Sequence, residues 1–307
     1  MISWVRVFQQ SKNPKADVLA YAPAATYVAK LAISLILGVV QGISEWLPIS
    51  SKTQIMIAST YLLKLNFSQA YALGLFLEGG TFLAAVIYFR RELYGAILAL
   101  FGRGGAQGRM LLKYLFVVTV VTAIIAIPIY KLISTLITGP AIGIPMIVLG
   151  AILLADWLLL RFSRGRHALS KTVADLSLAD LVLIGIAQGI SALPGISRSG
   201  TTVSAMLLLK VKPDEAFRLS FFALILASLG ATLVTILFSP SEIGSVAGTL
   251  PALYIGIAMA VSTIVSLVFM DALIKFAKSS RVTTLIFILG IIAILSGLIS
   301  LATGIGG

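Results

Sequence analysis

Long apolar stretches alternate along this chain with shorter, interrupted ones. A membrane-spanning helix needs about 20 predominantly apolar residues, and six stretches reach that length: 70–89, 111–137, 141–160, 216–238, 249–276 and 282–303. Four others are too short or too broken, namely 28–44, 49–63, 178–191 and 199–209. The order short, short, long, long, long occurs twice. We therefore predict an all-α integral membrane protein with six transmembrane helices and two pairs of re-entrant helices.

Each pair of short stretches brackets one copy of the same polar motif. The first copy, "GVVQGISEWLPISSKTQ", starts at Gly38, and the second, "GIAQGISALPGISRSGT", starts at Gly185. The copies align without a gap at an offset of 147 positions (185 − 38 = 147). We predict a single membrane domain, 28–307, built from two repeats at about 28–165 and 175–303, preceded by a surface segment, 1–27. Interrupted helices at matching places in two halves indicate a binding site near the middle of the membrane.

Charge composition supports the membrane assignment and predicts a topology. Only 11% of the residues are charged and 59% are hydrophobic, whereas soluble domains carry about 25% charged residues. Basic residues cluster after the first, third and fifth long stretches, and the loops 138–140 and 239–248 contain none. The positive-inside rule therefore puts the basic loops in the cytoplasm and makes the two repeats inverted. This clustering suits the surface of a plasma membrane and excludes a nucleic-acid partner.

Both motifs break a helix and start a new one. Proline cannot continue a helix, and the serines that follow can cap the next one. Two half-helix N-termini that face each other form an anion site. Arg198 lies in the second break, and a buried arginine needs a partner; its guanidinium fork suits phosphate oxygens. The alternative is a buried ion pair between Arg198 and Glu45 without any substrate.

The two motifs also carry a family resemblance. "QGISEWLPISS" (41–51) and "PGISRSGTT" (194–202) closely resemble the signature motifs of the undecaprenyl-diphosphate phosphatases, the bacitracin-resistance phosphatases. The likeness extends through "FLEGGTFLAAVIYFRREL" (76–93) and "FRLSFFALILASLGAT" (217–232). It implies an inverted repeat with six spans and two re-entrant pairs. It also implies removal of the terminal phosphate from a polyprenyl diphosphate, usually with a divalent cation, Mg²⁺ or Ca²⁺.

The resemblance assigns roles by position. Gln41 and Glu45 match the family's acidic pair, which would bind the cation or activate the nucleophile. Ser51 matches the catalytic-site serine, so the nucleophile is either Ser51 or a water held near Ser51 and Gln54. Arg198 and the half-helix N-termini would stabilise the transition state. The remaining predicted phosphate contacts are Ser50, Ser197, Ser199, Gly200 and Thr202.

The chain departs from the family pattern at the motif histidine. Gln54 stands at that position, and glutamine can hold a phosphate oxygen or a water but cannot act as a general base. His167, the only histidine, lies in a basic loop, where we expect a solvated side chain. Gln41 leaves one carboxylate where many relatives have two. Glu78 is a candidate to restore that charge and to bind the cation; the alternative is a lone protonated carboxyl.

The surroundings of several residues and the choice between hydrolysis and transport stay open at this stage. Lys52 either reaches a phosphate or snorkels to the membrane surface. Trp46 packs beside either the isoprenoid chain or the lipid, and Asp156 and Asp271 are expected to be helix-end or interhelical partners. A polyprenyl-phosphate or anion transporter would use the same midplane site, so transport is the alternative function. The sequence leaves the prenyl chain length, the metal and the formation of a homodimer undetermined.

Overall fold

The computed structural model describes residues 14–136, 143–164, 170–279 and 281–303, and their regular elements are helical. The first half contains α1 (Pro14–Ser44), α2 (Ser51–Leu63), α3 (Phe67–Tyr88), α4 (Arg90–Leu100), α5 (Gly105–Leu136) and α6 (Ile144–Arg164). A 3₁₀ helix, Val173–Asp175, opens the second half. It continues with α7 (Leu178–Ile190), α8 (Arg198–Leu208), α9 (Pro213–Phe238), α10 (Pro240–Thr249), α11 (Ala252–Lys278) and α12 (Arg281–Thr303).

Seven helices in the described ranges are long and apolar enough to cross a membrane. Six of them are the predicted long stretches, and the seventh is Thr26–Ser44 within α1. The prediction that 28–44 is too short to span was therefore wrong. The predicted stretch starts only two residues after the candidate span Thr26–Ser44, and the helix that contains both begins at Pro14, beyond the apolar part of the sequence. The predicted boundary between 1–27 and the membrane domain falls inside this helix.

The other three interrupted stretches form short helices, as predicted. Helices α2 and α7 contain 13 residues each and α8 contains 11. At a rise of about 1.5 Å per residue they are roughly 17–20 Å long, well short of the hydrocarbon thickness of about 30 Å. Helices α4 and α10 were not predicted, because each lies in a stretch that the hydropathy pattern assigns to a loop.

Helix packing pairs the two halves with each other. Helix α1 packs against α11 of the second half, and α7 packs against α5 of the first. The central spans α3 and α9 pack together, as do α6 and α12. Helix α3 is the most buried of the seven candidate spans. Its side chains in the middle of the molecule are therefore surrounded by protein, and one of them is Glu78.

Glycines shared by the two motif copies make the close crossings between the halves. A Cβ atom on Gly38 would lie 2.6 Å from the Ala258 carbonyl oxygen of α11, and one on Gly42 would lie 2.8 Å from that of Ser262. In the second copy, a Cβ atom on Gly185 would lie 2.6 Å from the Cβ of Val121 on α5. Glycine allows the helix backbones to approach this closely. The repeated glycines therefore fix where each motif enters the molecule.

Candidate active site

The two breaks between short helices contact each other in the centre of the molecule. The Gly195 N–H donates to Thr53 Oγ1 on α2 at 3.1 Å. Ser199 Oγ on α8 donates to the Leu47 carbonyl of the first break at 3.1 Å. These hydrogen bonds join the first turn of each short helix to the break of the other half. One pocket of polar residues therefore draws on both motif copies.

The local backbone explains two of the motif residues. Ser50, the residue before α2, has a φ of 57° in the left-handed region, and its hydroxyl shares a 2.8 Å hydrogen bond with Thr53 Oγ1. Gly195 has a φ of +94°, and a Cβ atom there would lie 3.0 Å from the Cβ of Ile152 on α6. Glycine is the residue that adopts such a conformation without steric cost. The glycine of "PGISRSG" is thus required by the turn.

Glu45 lies at the centre of the polar site and is 5% exposed. Its Oε2 accepts a hydrogen bond of 2.8 Å from Gln41 Nε2 and one of 2.5 Å from Ser51 Oγ. Gln41 lies in the last turn of α1, Glu45 directly follows that helix, and Ser51 opens α2 after the break. The break therefore places the hydroxyl of Ser51, the predicted nucleophile, within hydrogen-bond distance of the Glu45 carboxylate.

Arg198 connects the carboxylates of the site. Its Nη1 lies 3.6 Å from Glu45 Oε1 and donates to Ser228 Oγ at 2.8 Å. Its Nη2 donates to Glu78 Oε2. The Glu78 side chain is fully buried and that of Arg198 is 10% exposed. The alternative of a lone Glu78 carboxyl is therefore wrong, because Glu78 and Glu45 together neutralise a buried guanidinium.

Lys52 does not reach the membrane surface, so the snorkelling alternative is wrong. The residue is 3% exposed. Its Nζ donates to the carbonyl oxygen of Ser191 at 2.5 Å and to that of Ile196 at 3.0 Å. Both carbonyls belong to the second break. Lys52 thus links the first turn of α2 to the segment that leads into α8.

The predicted hydroxyl ligands of phosphate have protein partners. Ser197 caps α8 by accepting from the Gly200 N–H at 3.2 Å. Thr202 Oγ1 donates to the Arg198 carbonyl at 2.8 Å and shares a 2.6 Å hydrogen bond with Ser220 Oγ on α9. Ser50 and Ser199 bind Thr53 and Leu47 as described above. The role of these hydroxyls as phosphate ligands stays a prediction.

Asp156, which was predicted only to be a helix-end or interhelical partner, contacts the N-terminus of α8. It lies on α6, is 5% exposed, and its Oδ2 accepts from the Ser197 N–H at 3.1 Å. A Cβ atom on Gly200 would lie 2.8 Å from the same oxygen. A carboxylate therefore already contacts the N-terminus of α8. The predicted use of that terminus as a free anion site needs this correction, because an acidic side chain occupies part of it.

Two of the remaining predicted residues have clear surroundings. Gln54 Nε2 donates to the Ile49 carbonyl at 3.1 Å, which ties the first turn of α2 back to the break. Trp46 is fully buried, donates from Nε1 to Ser266 Oγ at 2.9 Å, and meets the Phe221 ring edge-on. It therefore packs against protein and not against the lipid. His167 lies outside the described residues.

A mostly apolar cavity begins at the charged cluster. It runs between α5 and α9. Arg198 and Lys52 line one part of it together with Gln188 and Ser191. The apolar walls are supplied mainly by Leu75, Ala123, Ala126, Ile127, Leu226 and Val234. The arrangement suits a ligand with an anionic head and a long apolar chain.

Sequence reasoning missed Ser228, whose hydroxyl accepts a hydrogen bond from Arg198 beside the two glutamates. The signal was available, because a polar residue within an apolar membrane helix faces the protein interior. It also treated Asp156 as an incidental helix partner. Nothing in the local sequence of α6 indicates which helix end a carboxylate on that helix will reach.

Comparison with known proteins identifies the family of this chain. Residues 34–295 match the family model described as bacitracin resistance protein BacA. An undecaprenyl-diphosphatase of Saccharolobus solfataricus is 47% identical over 88% of this chain and 96% of its own length. Proteins of the same name from Pyrobaculum aerophilum and Sulfurisphaera tokodaii are 46% and 43% identical over 88% and 87% of this chain, and over 98% and 97% of their own lengths. The match covers both motifs and the helices that carry them, and the chain belongs to the BacA family.

Proposed function

We propose that this chain removes the terminal phosphate from a polyprenyl diphosphate and leaves the lipid monophosphate. The observation that carries the proposal is the position of Arg198. Its guanidinium is buried against Glu78 and against Glu45, which accepts a hydrogen bond from Ser51, and it lines an apolar cavity. The chain is a multi-pass protein of the plasma membrane, so a long prenyl chain reaches the cavity from the bilayer. The names of its relatives support the same substrate class.

The chemistry follows from the contacts of Glu45. A carboxylate that accepts a hydrogen bond from Ser51 Oγ is placed to take the hydroxyl proton as the oxygen attacks. The Oγ–phosphorus bond would form as the bond from phosphorus to the bridging oxygen breaks, and the lipid monophosphate would leave. Water would then hydrolyse the phosphoserine. In the alternative, water attacks directly and Ser51 and Gln54 position it. In both, Arg198 stabilises the charge on the transferred phosphoryl group.

The residues present fit a divalent cation that is shared with the substrate. The described residues contain no group of three or more acidic, histidine or cysteine side chains able to hold a metal by themselves. However, Gln41 Oε1 is buried and has no hydrogen-bond partner, beside the Glu45 carboxylate. Mg²⁺ keeps several waters and often binds through one or two protein oxygens plus substrate phosphates. We propose Glu45 and Gln41 as its protein ligands, while Glu78 serves Arg198; the cation would neutralise phosphate charge.

The test is phosphate release from a long-chain polyprenyl diphosphate by the purified protein in detergent. We expect turnover that needs a divalent cation and is lost in Glu45→Gln. A purified protein that binds the lipid without turnover, and exchanges it between the leaflets of vesicles, would replace hydrolysis by transport. Activity that is insensitive to chelators would contradict the proposed cation and leave the phosphatase assignment in place.

A further inference from the structure

The cavity contains a second buried cation that the reaction above does not use. Lys52 makes no ion pair with any described residue. Two carbonyl oxygens accept two of its ammonium hydrogens, those of Ser191 and Ile196. An ammonium group has three hydrogens to donate. Lys52 lines the cavity with a hydrogen that neither of these carbonyls accepts, so this hydrogen is available to an anionic group of a ligand there.

A second observation on the same wall also points to a ligand. Gln188 is 2% exposed and donates from Nε2 to Thr122 Oγ1 at 3.1 Å, but its Oε1 has no hydrogen-bond partner. Thr119 Oγ1 is likewise buried and without a partner. Both residues line the cavity with Lys52. Buried polar atoms are normally satisfied, so this part of the cavity is built for a polar group of the ligand.

The positions of the charged and apolar side chains around the cavity indicate which part of the ligand would bind near Lys52. The apolar wall between α5 and α9 suits the prenyl chain. Arg198 borders the cavity on one side and contacts Glu45, the partner of Ser51, on the other. Lys52 borders the cavity too, but its ammonium donates to the Ser191 and Ile196 carbonyls and makes no ion pair with those glutamates. A diphosphate whose chain lies in the cavity would thus present its terminal phosphate to Arg198 and its lipid-linked phosphate to Lys52.

We propose that Lys52 binds the lipid-linked phosphate, the one that stays with the prenyl chain after hydrolysis. The inference rests on the proposed function and adds a division of labour to it. Arg198 recognises the phosphate that leaves, and Lys52 recognises the phosphate that remains. Lys52 thereby selects lipid diphosphates over substrates with a single phosphate, and it makes the lipid monophosphate a ligand of the free enzyme.

Binding without turnover tests this assignment in the full-length protein. The probes are a long-chain polyprenyl monophosphate and inorganic phosphate, each titrated against purified protein in detergent and followed by thermal unfolding. The variants are Lys52→Gln, which keeps a hydrogen-bond donor but has no charge, and Lys52→Met, which has neither property. Lys64→Met is the matched control, because Lys64 is an exposed lysine at the C-terminal end of the same helix.

We expect Lys52→Gln and Lys52→Met to weaken binding of the lipid monophosphate by about 10- to 150-fold, the usual range for a lost charge-assisted hydrogen bond. Inorganic phosphate should bind both variants as it binds wild type and the Lys64→Met control. Lys52→Gln with wild-type affinity for the lipid would reduce Lys52 to a tether of the second break and overturn the proposal. Equal weakening of both probes would overturn it as well. Wild type that binds the lipid but releases no phosphate from the diphosphate would instead refute the proposed reaction.

Discussion

At the scale of single residues, the site depends on charges that are buried in compensating sets. Arg198 is neutralised by Glu45 and Glu78, and its Nη1, which faces Glu45, also donates to Ser228 Oγ. Removing one member of such a set leaves the others buried and uncompensated, which is more costly than the contact itself is worth. Substitutions that keep charge are therefore more informative here than alanine.

Arg198→Lys keeps the charge but loses the planar fork, so we expect most of the activity to disappear. An ammonium cannot bind a carboxylate and a phosphate oxygen in the two-pronged way of a guanidinium. The loss of about 1.5–3 kcal/mol corresponds to a rate roughly 10- to 150-fold lower. Steady-state phosphate release measures it. A lysine variant with wild-type turnover would make Arg198 a counter-ion for the glutamates and nothing more.

Gln54→His should give the pH–rate profile a new limb near pH 6.5, the ordinary titration range of an imidazole. Wild type should lack that limb, because Gln54 does not titrate and donates only to the Ile49 carbonyl. Gln54→Ala should cost little if Gln54 merely positions water. The profile of all three proteins, measured from pH 5 to 9, checks this. A wild-type profile that already shows the imidazole limb would contradict the assignment of proton transfer to Glu45.

At the scale of elements, the motif glycines decide how the helix before each break packs against the other half. We expect Gly38→Ala to destabilise the protein by about 1–3 kcal/mol, the usual cost of overpacking. The added methyl group would lie 2.6 Å from the Ala258 carbonyl and 2.7 Å from the Cβ of Val261. Gly256→Ala on α11 is the control, since a Cβ atom there meets nothing within 4 Å. Thermal unfolding in detergent compares them, and equal melting temperatures would show that the α1–α11 crossing can relax.

Hydropathy predicted most helices and the break motifs predicted the site, because both depend on local sequence. Six of the seven candidate spans followed from those patterns, whereas the ion pair of Arg198 with Glu45 had entered only as the alternative to a phosphate-binding arginine. The length of α1 did not follow from them, since the helix begins at Pro14, beyond the apolar part of the sequence. The buried position of Lys52 and the contact of Asp156 with α8 are set by which helices pack together. Neither contact leaves a mark in the neighbouring sequence.

At the scale of the whole molecule, the inverted arrangement of the repeats remains a prediction. Helix pairing between the halves is reciprocal, with α1 on α11 and α7 on α5, but packing alone does not say which face is cytoplasmic. The chain has no cysteine, so single cysteines report on topology without interference. We expect Arg103→Cys and Ser170→Cys to resist an impermeant thiol reagent added to intact cells. Ser241→Cys should react readily, and the reverse labelling pattern would reject the predicted orientation.

The pairing between halves also sets the time at which the site is completed. Arg198 follows its partner Glu78 by 120 residues in the chain. At a synthesis rate of roughly 5–20 residues per second, the first half waits in the membrane for about 6–24 s before its arginine exists. During that interval α1 has no α11 to pack against, and Glu45 and Glu78 have no arginine to pair with. The charge cluster is therefore complete only when both halves have been synthesised, and a chain that ends after α6 would contain Glu45 and Glu78 without Arg198.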